Sequence, residues 1–481
     1  MKSRKTWRKV WALSLAAAMI AGTGMSTSGQ LIGTGLSVHA EENTENAASV
    51  FSWDNATVYF LLTDRFKNGD TSNDNAYGRM KTVANDSRAT FHGGDFAGIT
   101  EKLNEGYFND LGVNAIWITA PYEQIHGYIL GDNFAYYPYN GSYALDYTET
   151  DAAFGTKAEF QTMVDTAHSK GIRIIMDVVM NHVGYNNMID MNEYNYGTLL
   201  DGWEQVYYSG DFSKYHAMID YENDADTWGR WWGTDWVRAG LPGYSEGGNN
   251  DTTMCLTGLP DFRTESSKKV GIPQFLRTKW TKEGTLEEKL EKYGTSNTVT
   301  GYLSDWLADW VRTYGIDGFR CDTAKHVDKA SWKQLKNKCV AALQEWKENN
   351  PDKKIDDLDF WMTGEAWGHG VSKDDYYTSG GFDSMINFEI QGSGPDAIVG
   401  KYRVYANNIN SDPDFNVLSY ISSHDSTLAR PSDMYYEASA FLLLPGAVQI
   451  YYGDESARPF VKGVPNDGGG GAGHSLRSDM N

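Results

Sequence analysis

Apolar runs of strand length recur eight times along this chain, and helical patterns separate most of them. The runs are "TVYFLLTDRF" (57–66), "GVNAIWITAP" (112–121), "IRIIMDVVMNH" (172–182), residues 316–322, "DFWMTGEAW" (359–367), residues 383–389, "NVLSYISSHD" (416–425) and "AVQIYYGDE" (447–455). Between them lie "ITEKLNEGYFNDL", "EFQTMVDTAHSKG" with its closing Gly171, "TGYLSDWLADWVRTYG" and a helical pattern near 331–348. Repeated β–α units give parallel strands, and eight of them predict a closed (β/α)8 barrel of the α/β class. The alternation breaks after the third run. Residues 183–298, rich in Trp, Tyr, Gly and Asp, far exceed an ordinary loop and predict a small inserted domain. After the eighth run only "SARPFVKGVPNDGGGGAGHSLRSDMN" remains. Its Gly run reads as a flexible loop, and no helix can be read there, so the eighth helix is expected to be absent.

The start, "MKSRKTWRKVWALSLAAAMIAG", is a basic patch followed by a short apolar run, and small residues lead to "SVHA" before "EENTENAASV". This is the pattern of a signal peptide over 1–40, cleaved after Ala40, with a linker over 41–54. The expected location is therefore outside the cytoplasm, extracellular or periplasmic. The formal charge is −22; the leader carries five basic and no acidic residues, so without it the charge becomes −27. Such a surface repels nucleic acid and anionic lipid and suits a neutral substrate. A monomer with neither nucleic-acid nor membrane partners is expected. The three cysteines, Cys255, Cys321 and Cys339, form neither a disulfide framework nor a zinc site. Cys321 and Cys339 fall in apolar patterns and read as core.

Polar residues gather where the strand runs end: Asp64 and Arg65; Asp177, Asn181 and His182; Arg320 and Asp322; Glu365; His424 and Asp425. In a parallel barrel those ends share one rim, where such folds build their sites. A single strand-end Asp is commonly a cap, but five of eight strands ending this way exceeds what capping explains. A rim with Asp322, Glu365 and Asp425 suggests glycoside chemistry, in which one carboxylate attacks the sugar carbon and one acid protonates the leaving oxygen. Arg320 and Asp322 are two apart and project to the same side, and the cation favours an ionised Asp322, suited to a nucleophile. Glu365 sits between "FWMTG" and Trp367, an apolar setting that raises a carboxyl pKa and suits a proton donor. His182 and His424 can donate to sugar hydroxyls.

Taken in order, "GVNAIWITAP", "DVVMNH", "LPDF" (259–262), "GFRCDTAKHV" (318–327), "GEAW" (364–367), "YISSHD" and "GAVQIYYGDE" resemble the motifs of glycoside hydrolase family 13, the alpha-amylase family. "GGDFAGIT", "EQIHGY" and "YYGDESARPF" look closest to its periplasmic-type members. The resemblance implies a TIM barrel as domain A (55–182 and 299–481), domain B inserted after strand 3 (183–298), and a C-terminal β-sandwich that this chain lacks together with the eighth helix. It implies Asp322 as nucleophile, Glu365 as acid/base and Asp425 as transition-state stabiliser. Arg320, His182 and His424 match sugar contacts at the cleavage subsite. Lys325 and His326 match contacts on the leaving-group side. Asp177 matches the structural carboxylate of the third strand and is grouped with the substrate-binding set. The implied activity is retaining, endo-acting hydrolysis of α-1,4 bonds in starch, glycogen and maltodextrins. A 4-α-glucanotransferase or cyclodextrin-forming enzyme of the same family is the alternative, and a non-catalytic glucan-binding protein is a third reading.

"NGDTSNDN" (68–75) crowds hard oxygens at Asn68, Asp70, Asn73 and Asp74, which suits Ca²⁺, although Asx-rich turns look similar. With Gly93 (carbonyl) and Asp95 it resembles the extra calcium site of the cyclodextrin-forming members. Asn181, Asp261 and the His326 carbonyl match the family's central calcium site, with Asp251 as a candidate fourth ligand. Calcium here is expected to be structural. One stretch departs from the family. "YNGSY" (139–143) stands where "YHGYW" is usual, so Asn140 replaces a His and Ser142 a stacking Tyr. That stacking surface is lost unless Tyr139 or Tyr143 supplies it.

Overall fold

The computed structural model describes residues 51–82, 89–131, 134–200, 219–222, 225–391, 393–430, 433–461 and 474–480. The expected signal peptide, the linker up to residue 50 and the Gly run of the tail lie outside the described residues.

All eight strand runs form strands. They are β1 (Thr57–Leu61), β2 (Ala115–Ile118), β3 (Arg173–Val178), β4 (Gly318–Cys321), β5 (Trp361–Gly364), β6 (Ser384–Asn387), β7 (Asn416–Tyr420) and β8 (Ala447–Tyr451). Each pairs in parallel with its chain neighbours, and Thr57 opposite Val448 closes the ring between β1 and β8. The TIM barrel is therefore present. The strands are almost wholly buried, as expected where helices cover a parallel sheet.

Helices α1 (Phe96–Asn104), α2 (Lys157–Ser169), α3 (Val299–Tyr314), α4 (Lys329–Asn349), α5 (Asp375–Thr378), α6 (Pro395–Ser411) and α7 (Met434–Leu442) follow the first seven strands. In α3 the buried set Leu303, Trp306, Leu307, Trp310 and Val311 repeats every three or four residues, as one face of a helix must. Each such side chain contributes about 1.5–3 kcal/mol by leaving water. Thr298 caps the start through its side chain. Gly315 ends α3 at φ +76°, and a Cβ there would meet the Trp346 ring at 2.4 Å, so both conformation and space require glycine.

Trp228, Trp231, Trp232 and Trp236 of the 183–298 stretch are buried. Trp232 meets Phe262 edge-on at 5.1 Å, and Trp236 stacks on Trp306 of α3 at 5.7 Å. These indoles are packing rather than sugar platforms.

Among the described residues no α-helix follows β8, yet the strand is covered: only Ile450 of it is half-buried. Residues 474–480 return to the rim, and Arg458 holds them there. Its guanidinium donates to the carbonyls of Leu476 and Ser478 and lies 3.9 Å from the Tyr452 ring centre. Met480 N–H donates to the Arg65 carbonyl at the end of β1.

Candidate active site

The β4 and β5 ends are tied to one another just beyond the sheet. Glu365 N–H donates to the Cys321 carbonyl (2.9 Å) and Ala324 N–H to the Glu365 carbonyl (2.7 Å). Thr323 has φ +47°, a left-handed conformation that costs a β-branched residue on the order of 1–3 kcal/mol. That turn aims its N–H at Glu365 Oε2, 3.3 Å away.

Arg320 organises the carboxylates. In the strand register it stands opposite Asp177 on one side and Thr363 on the other. It is 1% exposed, with its guanidinium 5.0 Å from the Trp117 ring centre. Nη1 donates to Asp322 Oδ1 at 2.7 Å and to Asp177 Oδ1 at 3.0 Å. Nη2 lies 2.7 Å from Glu365 Oε1, an ion pair too poorly aligned for a hydrogen bond. One guanidinium thus spans Asp322 and Glu365. Asp177 is turned inward, held by Arg320 and by Trp117 Nε1–H at 3.0 Å.

The same cation sets the protonation pattern. Burial pushes the Asp322 pKa up, but Arg320 and His182 outweigh it and hold the carboxyl below its ordinary 3.8. Burial dominates at Glu365, reinforced by Asp322 and Asp425 against Arg320, and lifts it to about 8. Burial also lifts Asp177, to about 7. At Asp425, burial is overcome by His424, Arg477 and Arg320, and the carboxyl stays well below the usual range. Two facing acids with opposite shifts are what acid–nucleophile chemistry requires.

His424 Nε2 is 2.8 Å from Asp425 Oδ2, and its ring meets Phe60 edge-on. Burial depresses the pKa of both His182 and His424. A cleft of about 370 Å³ is lined by Asp322, Asp425, His182, Arg320 and the Asn140–Tyr143 segment among others. Lys325 sits away from this centre, 3.2 Å from Asp251 Oδ1, and His326 Nδ1 is 2.8 Å from the Asp251 carbonyl. The Asp251 carboxylate thus pairs with Lys325 and its carbonyl with His326.

Sequence reasoning missed Arg477. Nη2 donates to Asp425 Oδ1 at 2.5 Å, Nε to the His424 carbonyl and Nη1 to the Tyr136 hydroxyl at 3.1 Å. It follows a Gly run and carries no periodicity, so nothing in the sequence marks it.

Both candidate calcium sites present oxygen ligands. The Asn181 carboxamide oxygen faces Asp261 Oδ1 and the His326 carbonyl, each 3.1 Å away, with no hydrogen between them. Turning the amide would satisfy these neighbours without a metal; a cation would satisfy them as they stand. Arg238 holds the other Asp261 oxygen. In the 68–75 loop, Asn68 Oδ1 and Asn73 Oδ1 are buried without a hydrogen-bond partner. A Cβ at Gly93 would meet Asp74 Oδ1 at 2.4 Å and Asn68 Nδ2 at 2.5 Å, so that backbone closes over the loop. Asp95 accepts from the N–H groups of Gly69, Asp70 and Gly98, and Asp70 Oδ1 from Ser72. Lys81 pairs with Asp74. The Asn181, Asp261 and His326 oxygens fit a hard cation as they stand. In the 68–75 loop, by contrast, Lys81 and the Asn68 amide hold the Asp74 carboxylate, so the two Asn oxygens are what a cation would satisfy there.

A family profile described as "Alpha amylase, catalytic domain" matches residues 60–221 and 286–466. The periplasmic alpha-amylase of Escherichia coli K12 is 46% identical over 459 residues, which is 92% of this chain and 65% of that protein. A cyclomaltodextrin glucanotransferase of Bacillus sp. (strain 6.6.3) is 27% identical across 84% of this chain and 49% of its own length. The chain thus spans about half to two thirds of these relatives. The solved alpha-amylase of Anoxybacillus shares the fold at TM-score 0.54 and 22% identity, covering 90% of this chain and 75% of that one.

Proposed function

The chain belongs to the alpha-amylase family of glycoside hydrolases, and on that premise we propose that it is a secreted, retaining, endo-acting alpha-amylase. One observation carries the mechanism: a single buried guanidinium bridges a depressed Asp322 and a raised Glu365. Asp322 Oδ1 is held by Arg320, leaving Oδ2 to attack the anomeric carbon of an α-1,4-linked glucosyl unit. Glu365 gives its proton to the departing glycosidic oxygen. Glu365, now a carboxylate, takes a proton from water, and the hydroxide oxygen displaces Asp322 from the anomeric carbon. The product keeps its configuration, because the anomeric carbon is inverted twice, once by Asp322 and once by water. Asp425, ionised throughout, stabilises the cationic transition state, and Arg320, His182 and His424 hold sugar hydroxyls. Lys325 and His326 serve the leaving-group side.

Secretion is supported by the leader-like start and by the periplasmic relative. Among the described residues no helix is long and apolar enough to cross a membrane. Starch, glycogen and maltodextrins are the proposed substrates.

The transfer reading rests on the 68–75 loop and the glucanotransferase relatives, with weaker identity. Amylose and maltotriose distinguish the two. The expected result is rapid release of reducing ends from amylose with a mixture of short chains, and glucose plus maltose from maltotriose. Products longer than maltotriose would move the assignment to glucanotransferase. No reducing ends at all would refute both.

Calcium is proposed as a structural cofactor. Asn181, Asp261 and the His326 carbonyl would hold one ion between the rim and the inserted stretch, and Asn68, Asp70, Asn73, Asp74, Gly93 and Asp95 a second. The ions supply no step of the reaction; they brace the cleft wall. Chelation should lower the thermal midpoint by roughly 5 °C, reversed by added Ca²⁺. Asn181→Ala should remove the part of the calcium response that belongs to the first ion and leave that of the second. A midpoint unmoved by chelator and by Ca²⁺ would refute both sites.

A further inference from the structure

A pyranose ring presents faces of C–H bonds, and a cleft that holds it needs an apolar, preferably aromatic, surface beside its polar groups. The cleft that holds Asp322 and Asp425 is lined by Tyr136, Asn140, Gly141, Ser142 and Tyr143 among others. Trp367, Phe388 and Tyr420 line the adjoining pocket that holds Glu365 and Asp425; the surface sought here is the one on the Asp322 side, where Ser142 stands. Asn140, Gly141 and Ser142 offer no such surface. Tyr139 is unavailable: it is fully buried, its hydroxyl is 2.6 Å from His474 Nδ1, and Arg65 covers its ring at 3.7 Å. The Tyr143 ring is wedged between two others, tilted 56° to Tyr136 and edge-on to Tyr185.

Tyr136, which ends the short strand Phe134–Tyr136, is half-buried as Tyr143 is, and differs from it in its link to a rim carboxylate. Its ring is backed by Tyr139, stacked at 6.2 Å, and by His474 at 4.8 Å. Its hydroxyl accepts from Arg477 Nη1, while Nη2 of the same guanidinium holds Asp425 Oδ1. The ring is therefore fixed to a rim carboxylate through one planar fork, an arrangement that preorganises it.

We propose that Tyr136 is the aromatic surface on which the glucosyl ring rests beside the cleaved bond, with Arg477 as the positioning residue that registers it to Asp425. The proposal rests on the glucan-cleaving reading above and assigns the surface that Ser142 cannot provide. Tyr136→Leu keeps an apolar side chain against Tyr139 and His474 but removes the ring. It should lower kcat/KM on maltoheptaose about tenfold and weaken maltoheptaose binding about tenfold in a Glu365→Gln background, read by calorimetry. Tyr136→Trp should retain most of the binding. Adding Ser142→Tyr to Tyr136→Leu should restore part of what was lost.

Tyr136→Phe preserves the fold if Leu does not. In the Glu365→Gln background, maltoheptaose should perturb tyrosine absorption, and Tyr136→Phe should remove much of that difference signal. Undiminished binding by Tyr136→Leu, an intact difference signal in Tyr136→Phe, or a larger loss in Tyr143→Leu than in Tyr136→Leu would each overturn the proposal. The two readings fail separately. If the unsubstituted protein releases no reducing ends from amylose, the enzymatic reading falls while the binding arm still tests Tyr136. If it cleaves amylose and Tyr136→Leu binds equally well, only Tyr136 falls.

Discussion

Glu365→Gln is expected to lower turnover of amylose by about 10³-fold or more. A glutamine is nearly isosteric but has no proton to give, and general acid catalysis is worth about 10²–10⁴-fold where the leaving group is a poor one. The variant should fold, because Gln can still accept from Thr323 N–H, which meets Oε2 in the parent. A nitrophenyl maltoside isolates the step, since its leaving group departs without protonation. Glu365→Gln should form the Asp322 ester from this substrate at near-parental rate and then stall, because the same group must activate water. A burst of nitrophenol followed by slow turnover is the signature. The pH profile checks the same assignment. Glu365 acts protonated and its pKa is raised to about 8, so kcat/KM falls as pH rises through that value. Asp322 acts ionised and its pKa is held below 3.8, so activity falls as pH drops through that lower value. The alkaline limb should be missing from the residual activity of Glu365→Gln. Parental rates on amylose with an unchanged alkaline limb would refute the role of Glu365.

The barrel was legible because its signal is redundant. Eight runs, each short and apolar, carry the same message, and an error in one leaves the others standing. The carboxylates were legible for a related reason: Asp322 and Glu365 directly follow β4 and β5 and Asp425 lies shortly beyond β7, and barrel closure brings strand ends together without further information. Even the direction of two pKa shifts followed from local neighbours, Arg320 beside Asp322 and the apolar run before Glu365. Arg477 and Tyr136 were not legible. Neither ends a barrel strand, and each reaches the cleft through a long-range hydrogen bond: Arg477 to Asp425 across 52 positions, Tyr136 to Arg477 across 341. No period in the sequence encodes such a contact. Composition marks Asp251 as a carboxylate but not which cation it will meet; here it pairs with Lys325.

Arg320→Met should be the most disruptive single change in the site, costing about 3–5 kcal/mol of stability at neutral pH together with nearly all activity. The methionine fills much of the volume against Trp117, so the loss is one of charge. Three carboxylates, Asp177, Asp322 and Glu365, now share a buried site without their common cation. Each responds by holding its proton more tightly. An acid whose folded-state pKa lies above its unfolded value binds more protons when folded, so the folded state loses stability as pH rises. The deficit of Arg320→Met should therefore be smallest near pH 4 and grow toward pH 8, which thermal midpoints across that range will show. Activity follows the same logic: Asp322 becomes a neutral acid at the pH where the parent has a nucleophile, and the acid limb should move upward. Arg320→Lys separates charge from geometry. One ammonium restores a positive charge but cannot present two coplanar nitrogens to Asp322 and Glu365, so stability should recover further than kcat. If Arg320→Met instead unfolds within about 1 kcal/mol of the parent at every pH and still cleaves amylose at neutral pH, the guanidinium is not what sets Asp322 and Glu365 apart, and the division of labour between them needs another origin.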